Sequence, residues 1–148
     1  MISGWYPNLL TEHVDFVVRF ADGYVRLAQL AADAVMQNPA TSIRGLLDLA
    51  HIRGFFDSML GPRESRYYLY ALAVLTSVGW AAERQAEGQA VAQHLGLDWN
   101  LVRVHVDSFD ARLKIAPCAG RFRHLSPAPL ANYLAAEAWE TYPDLLKR

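Results

Sequence analysis

The 148-residue chain has 53% hydrophobic side chains, enough apolar surface for one ordinary domain or two small helical ones. Its net charge of -1 provides no global field toward nucleic acid or an anionic membrane, so any contact with DNA needs a local basic patch. A single cysteine, Cys118, excludes an intramolecular disulfide and cannot build a zinc site unaided, a usage compatible with a reducing cytosol.

The opening MISGWYPNLL has no basic run ahead of an apolar one, and no stretch reaches the roughly 18 apolar residues of a membrane span. A cytoplasmic chain with no membrane contact is expected. Thr11 is placed as the N-cap of a first helix through Phe20, with Val14, Val17 and Val18 on one face and Asp22-Gly23 ending it. A second helix is expected from Tyr24 to Met36, burying Leu27, Leu30, Ala31, Ala34 and Val35, and Asn38-Pro39 stops it. A third, Ser42 to Met59, carries Leu46, Leu47, Leu49, Ile52, Phe55 and Phe56.

Gly61-Pro62-Arg63 breaks the helical pattern and marks a domain boundary, giving a three-helix bundle over 1–61 and a second domain over 62–148. After it a helical period restarts with Tyr67, Leu69, Tyr70, Leu72, Ala73 and Leu75. A helix over Ala82–Leu95 ends at Gly96, and Asp98 caps another from Trp99 to Lys114, at the spacing of a helix-turn-helix. Ala116-Pro117-Cys118-Ala119-Gly120 is a turn-rich run between Leu113/Ile115 and Phe122/Leu125, where Phe122 alternates with Arg121 and Arg123. Ser126-Pro127 opens a last helix with a buried stripe of Leu130, Tyr133, Leu134, Ala138 and Trp139. The fold class is therefore mainly α: a three-helix, lid-like bundle followed by a winged helix-turn-helix with a short β-hairpin wing.

The run from Arg121 to Trp139, RFRHLSPAPLANYLAAEAW, resembles the wing and final helix of the winged domain that follows the ATPase core in bacterial signal-transduction ATPases of the STAND class, relatives of the AAA+ proteins. Phe20–Ala32, FADGYVRLAQLAA, is similar to their helical lid, where a Gly-x-Pro-Arg-Leu-Ala-like turn opens a helix beside the nucleotide. The resemblance implies that Gly23 and Arg26 face a nucleotide, that Arg123 and His124 sit at a closing interface, and that ATP or ADP is held only together with a P-loop ATPase core. Two departures stand out. Val25 occupies the place of the family's adenine-packing proline, and the sequence has no G-x-x-x-x-G-K-[ST], so hydrolysis by this chain alone is not expected. Gly23 would let backbone approach a nucleotide and Arg26 could reach its phosphates; the plainer reading makes them a helix cap and a solvated side chain.

DNA binding competes with this regulatory reading. Between Leu101 and Leu125 lie five basic residues, Arg103, Arg112, Lys114, Arg121 and Arg123, against two acids, Asp107 and Asp110, a local excess of three (5 - 2). A transcriptional regulator would use the Trp99–Lys114 helix and the Arg121/Arg123 wing on double-stranded DNA, yet Asn100, Arg103 and His105 are the main side chains able to reach base edges. A protein-interaction module is the third reading. The five histidines, at 13, 51, 94, 105 and 124, have no metal-ligand spacing; His94 suits a helix C-terminus and His124 could touch a nucleotide or a partner domain. The serines and Cys118 sit in no nucleophile motif, and Glu83 with Glu87 reads as a solvated helix face, so no self-contained enzyme is expected. The aromatics Tyr67, Tyr68, Tyr70 and Trp80 are read as core, with a docking patch expected only where Tyr68, Trp139 and Tyr142 are exposed together.

Overall fold

A computed structural model describes residues 4, 6–40 and 43–146. The chain is mainly helical with a small three-stranded antiparallel sheet. It divides into two compact units, Met1–Leu60 with Pro127–Pro129, and Gly61–Ser126 with Leu130–Arg148.

In the first unit, helices α1 (Thr11–Ala21) and α2 (Val25–Gln37) pack on each other around Asp22-Gly23, both left-handed at φ 44 and 86. The contact face of α2 is rich in alanine, with Ala28, Ala31, Ala32 and Ala34 buried beside Leu27 and Val35. Such small side chains let two helix backbones approach closely. Thr11 is not the cap: it is the first helical residue, and Leu10 holds the N-cap position with no side-chain hydrogen bond. Val18 is not buried either, at 49% exposed, because Phe20 and Ala21, three and four residues beyond Val17, share its face and Val18 lies about 100° round the helix. The Tyr6 hydroxyl donates to Asp33 at 2.7 Å, tying the segment before α1 to α2, and that hydrogen bond, ahead of desolvation, raises the hydroxyl's pKa.

The expected third helix is two: α3 (Ile43–Asp48) and α4 (Ala50–Leu60). At Leu49 the amide turns to the carbonyl of Leu46, three residues back, and the apolar repeat runs through the break unaltered. Leu46, Ile52, Phe56 and Leu60 are fully buried, whereas Leu49 and Phe55 are partly exposed. Ser42 and the side chain of Leu47 lie outside the described residues.

The second unit runs α5 (Arg63–Ala73), β1 (Val78–Gly79), a 3-10 turn (Ala82–Arg84), α6 (Ala86–His94), α7 (Trp99–Leu113), β2 (Cys118–Ala119), β3 (Phe122–Arg123), α8 (Ala128–Thr141) and α9 (Pro143–Leu146). The sheet order is β1-β3-β2, with Val78 opposite Arg123 and Cys118 opposite Arg123 on the other edge. The link between α6 and α7 is fixed by capping. Gly96, at φ 72, sends its amide to Gln93 while Leu97 bonds Ala92, and the Asp98 carboxylate then accepts the Leu101 amide at 3.0 Å. The core gathers Leu69, Tyr70, Leu72, Val78, Ala92, Val102, Val106, Ile115, Leu130 and Leu134.

Several expectations shift here. The helix placed over Ala82–Leu95 starts as a 3-10 turn and becomes α-helical only from Ala86. That turn folds down on β1 so closely that a Cβ on Gly79 would collide with the Arg84 carbonyl oxygen. β1 itself joins the two expected strands. The hairpin turn is Gly120-Arg121, with Gly120 at φ 64, so Cys118 and Ala119 are strand residues and not part of the turn. Trp139 is 45% exposed, outside the buried stripe of α8.

Candidate functional site

Trp80, directly after β1, is the post around which the second unit's charged side chains are arranged. Its ring meets Trp99 edge-on, centroids 5.6 Å apart, and Gln85 bridges the two residues by donating to the Trp80 carbonyl and accepting from the Trp99 indole, both at 3.1 Å. Gly88 on α6 is needed beneath, since a Cβ there would run into the Trp99 ring.

Two guanidinium groups lie over Trp80, Arg123 at 4.7 Å and Arg103 at 5.6 Å from the ring centroid. These are the only sequence-selected arginines that the described structure brings together. Arg123 reaches inward from β3 and is 12% exposed at the side chain, while its apolar neighbour Phe122 is 42% exposed. The hairpin is thus turned so that charge packs and the phenyl ring faces out. Arg123 Nη2 pairs with Asp107 at 2.8 Å, Nη1 stands 3.9 Å from Asp110, too far for a hydrogen bond, and Nε donates to the Cys118 sulfur at 3.1 Å. Asp110 also accepts the Ala116 amide at 3.0 Å, which fixes the exit of α7. The two acids that reduce the local basic excess are therefore the partners of its central arginine. Arg103 Nε is buried with no hydrogen-bond partner, and the indole face offsets its charge.

The other selected residues are dispersed. Arg121 pairs with Glu83 at 3.1 Å on the surface, and Arg112 lies 5.3 Å over Phe109. His124 is half-buried just past β3. Among the fully described helices, α2 begins at Val25, so exposed Arg26 sits in its first turn and hydrogen-bonds Gln29 at 3.4 Å; Gly23 has no atom within 4 Å of a would-be Cβ. These two belong to the first unit, the five others to the second.

The tyrosine cluster does not form a common exposed patch. Tyr68 stacks flat on His105, rings 3.9 Å apart, and Tyr142 packs against Tyr67 and Tyr70, leaving Trp139 as the outward aromatic.

One row of the exposed face of α7 begins with two large apolar side chains, beside exposed Asn100, Asp107 and Arg112. Leu101 is 47% and Val104 63% exposed, with Ser108 and Ala111 continuing the row at three- and four-residue steps. These residues are absent from the sequence-selected set, though a signal existed: Trp99, Leu101, Val102, Val104, Val106 and Phe109 cover more of the helix circumference than one core can bury. Among the described residues no cluster of three or more His, Cys, Asp or Glu could hold a metal ion, and no helix is long and apolar enough to cross a membrane. Compared with known proteins, the chain matches no family model, no curated protein and no solved structure.

Proposed function

We propose that the second unit is a winged helix-turn-helix that docks a protein, and that the chain is the lid and winged-helix portion of a nucleotide-switched ATPase of the STAND type, regulatory and not catalytic alone. The order helix, strand, two helices, then a two-stranded hairpin, with sheet order β1-β3-β2, supports the winged reading. The observation that carries the docking role is the character of α7: its exposed row begins Leu101 and Val104, while Arg103 and Arg123 are held on Trp80 and Arg121 on Glu83. Apolar side chains at the centre of a contact with charge at its rim are the composition of a protein interface, whereas duplex binding needs cations free to meet phosphates. On the first unit, the open space around Gly23 and the exposure of Arg26 support a nucleotide-facing turn that acts once an ATPase core supplies the phosphate cradle.

The test is fluorescence polarisation of a labelled random-sequence duplex titrated with the chain at low and at physiological salt, with a labelled ATP analogue in parallel. The expected result is no salt-sensitive duplex binding and no retention of the analogue without a P-loop core. Duplex affinity that falls steeply with salt and drops again in Arg121→Ala would replace this reading with a transcriptional regulator.

A further inference from the structure

Helix α7 buries Trp99, Val102, Val106 and Phe109 in its own unit and leaves a second row exposed: Leu101, Val104, Ser108 and Ala111, at steps of three, four and three residues. Such spacing is the seam of a helix that packs lengthwise on another helix. The row is graded in size. Its first half carries a leucine 47% and a valine 63% exposed, its second half a serine and an alanine. Charge is graded along the same helix, since Asp98 caps its start and Arg112 stands exposed in its last turn.

A row with a large half and a small half fits a copy of itself in one direction only. In parallel, leucine would meet leucine at one end, alanine would face alanine across a gap at the other, and Arg112 would approach Arg112. Turned antiparallel about a two-fold axis level with Val106, Leu101 lies opposite Ala111 of the second copy and Val104 opposite Ser108. Every layer then joins one large and one small side chain, which keeps the two backbones evenly spaced. The same turn brings Asp98 of each copy to Arg112 of the other and opposes the two helix macrodipoles. Asp107 approaches its own copy beside the axis, but Arg123 of the same chain, 2.8 Å away, already offsets that charge.

We infer that a second copy of this chain covers α7 by antiparallel pairing of the Leu101–Ala111 row, so that self-association occludes this face until another protein displaces it. The inference rests on the reading of α7 as a docking face and adds what occupies that face first. Contact along one 15-residue helix belongs with the small, transient interfaces, so the pair forms at micromolar and higher concentrations and exchanges readily.

The experiment uses the full chain with Cys118→Ser, which removes the exposed native thiol. Sedimentation velocity over rising concentration is expected to show a monomer–dimer equilibrium. Val104→Glu sets a carboxylate on each side of the axis and is expected to weaken that equilibrium about tenfold, with an unchanged circular dichroism spectrum. Direction is read by disulfide trapping between a chain with Leu101→Cys and a chain with Ala111→Cys. Their mixture is expected to give about ten times the covalent dimer of either chain alone, because antiparallel pairing holds each new thiol about 15 Å from its own counterpart. A chain that stays monomeric at every concentration overturns the inference and leaves α7 to a different protein, which capture at 104 in cells tests separately. Association unmoved by Val104→Glu, or as much covalent dimer from either cysteine chain alone as from the mixture, overturns it as well.

Discussion

Removing the Arg123 guanidinium takes three contacts from β3, with Trp80 just after β1, Asp107 on α7 and the Cys118 sulfur on β2. Because Asp107 is half-exposed and its share is screened, Arg123→Ala is expected to lower unfolding stability by about 1–2 kcal/mol, most of it from the indole contact and packed stem. Chemical denaturation measures this directly, and a loss near zero would show the arginine to be a free surface cation. Glycines divide by what their backbones approach in the folded chain. Gly79→Ala must push the 3-10 turn off β1 and is expected to cost about 3 kcal/mol, whereas Gly96→Ala meets open space and bears only the left-handed backbone strain of about 1 kcal/mol. Comparable losses at both sites in thermal melts would contradict the close approach at β1.

Helix faces make their own predictions. Leu101→Ser and Val104→Ser leave the core untouched, so their effect on stability should stay within about 0.5 kcal/mol. A larger loss in denaturant titrations would mean that the row is packed. Where α5 meets α8, burial first and then the Glu137 carboxylate hold the Tyr70 hydroxyl above its ordinary pKa. The folded chain therefore keeps that proton to higher pH than the unfolded one. Stability from this group is full below about pH 10, the unfolded tyrosine value, and is lost as pH rises through the folded value. Unfolding midpoints should fall in alkali, and Tyr70→Phe should reduce the fall; an identical slope in the variant would place the sensitivity elsewhere.

The same helices show what a sequence can and cannot reveal. Gly96 and Asp98 act within a few residues of themselves, and the link between α6 and α7 follows from them alone. The α5 and α8 stripes are legible in the same way, since period governs which face is covered. The break at Leu49 is not, because the apolar repeat passes through it, and neither is β1, whose two residues are strand only by pairing with β3 far along the chain. The candidate site was legible as chemistry but not as geometry: Arg103 and Arg123 were visible as charges, while their shared seat on Trp80 and the pairing with Asp107 and Asp110 are tertiary.

For the whole molecule, a net charge of -1 and engaged arginines leave apolar association as the expected mode of binding. That association should persist at ionic strengths that dissolve phosphate contacts. The most direct measurement replaces Val104 with a photoreactive amino acid in the cells that make the protein, with exposed Ala136 as the control position, and identifies what is joined to each. A covalent adduct at 104, absent at 136, is expected with a protein carrying a G-x-x-x-x-G-K-[ST] core. An adduct at 104 with nucleic acid, or the same protein captured equally at 136, would contradict it.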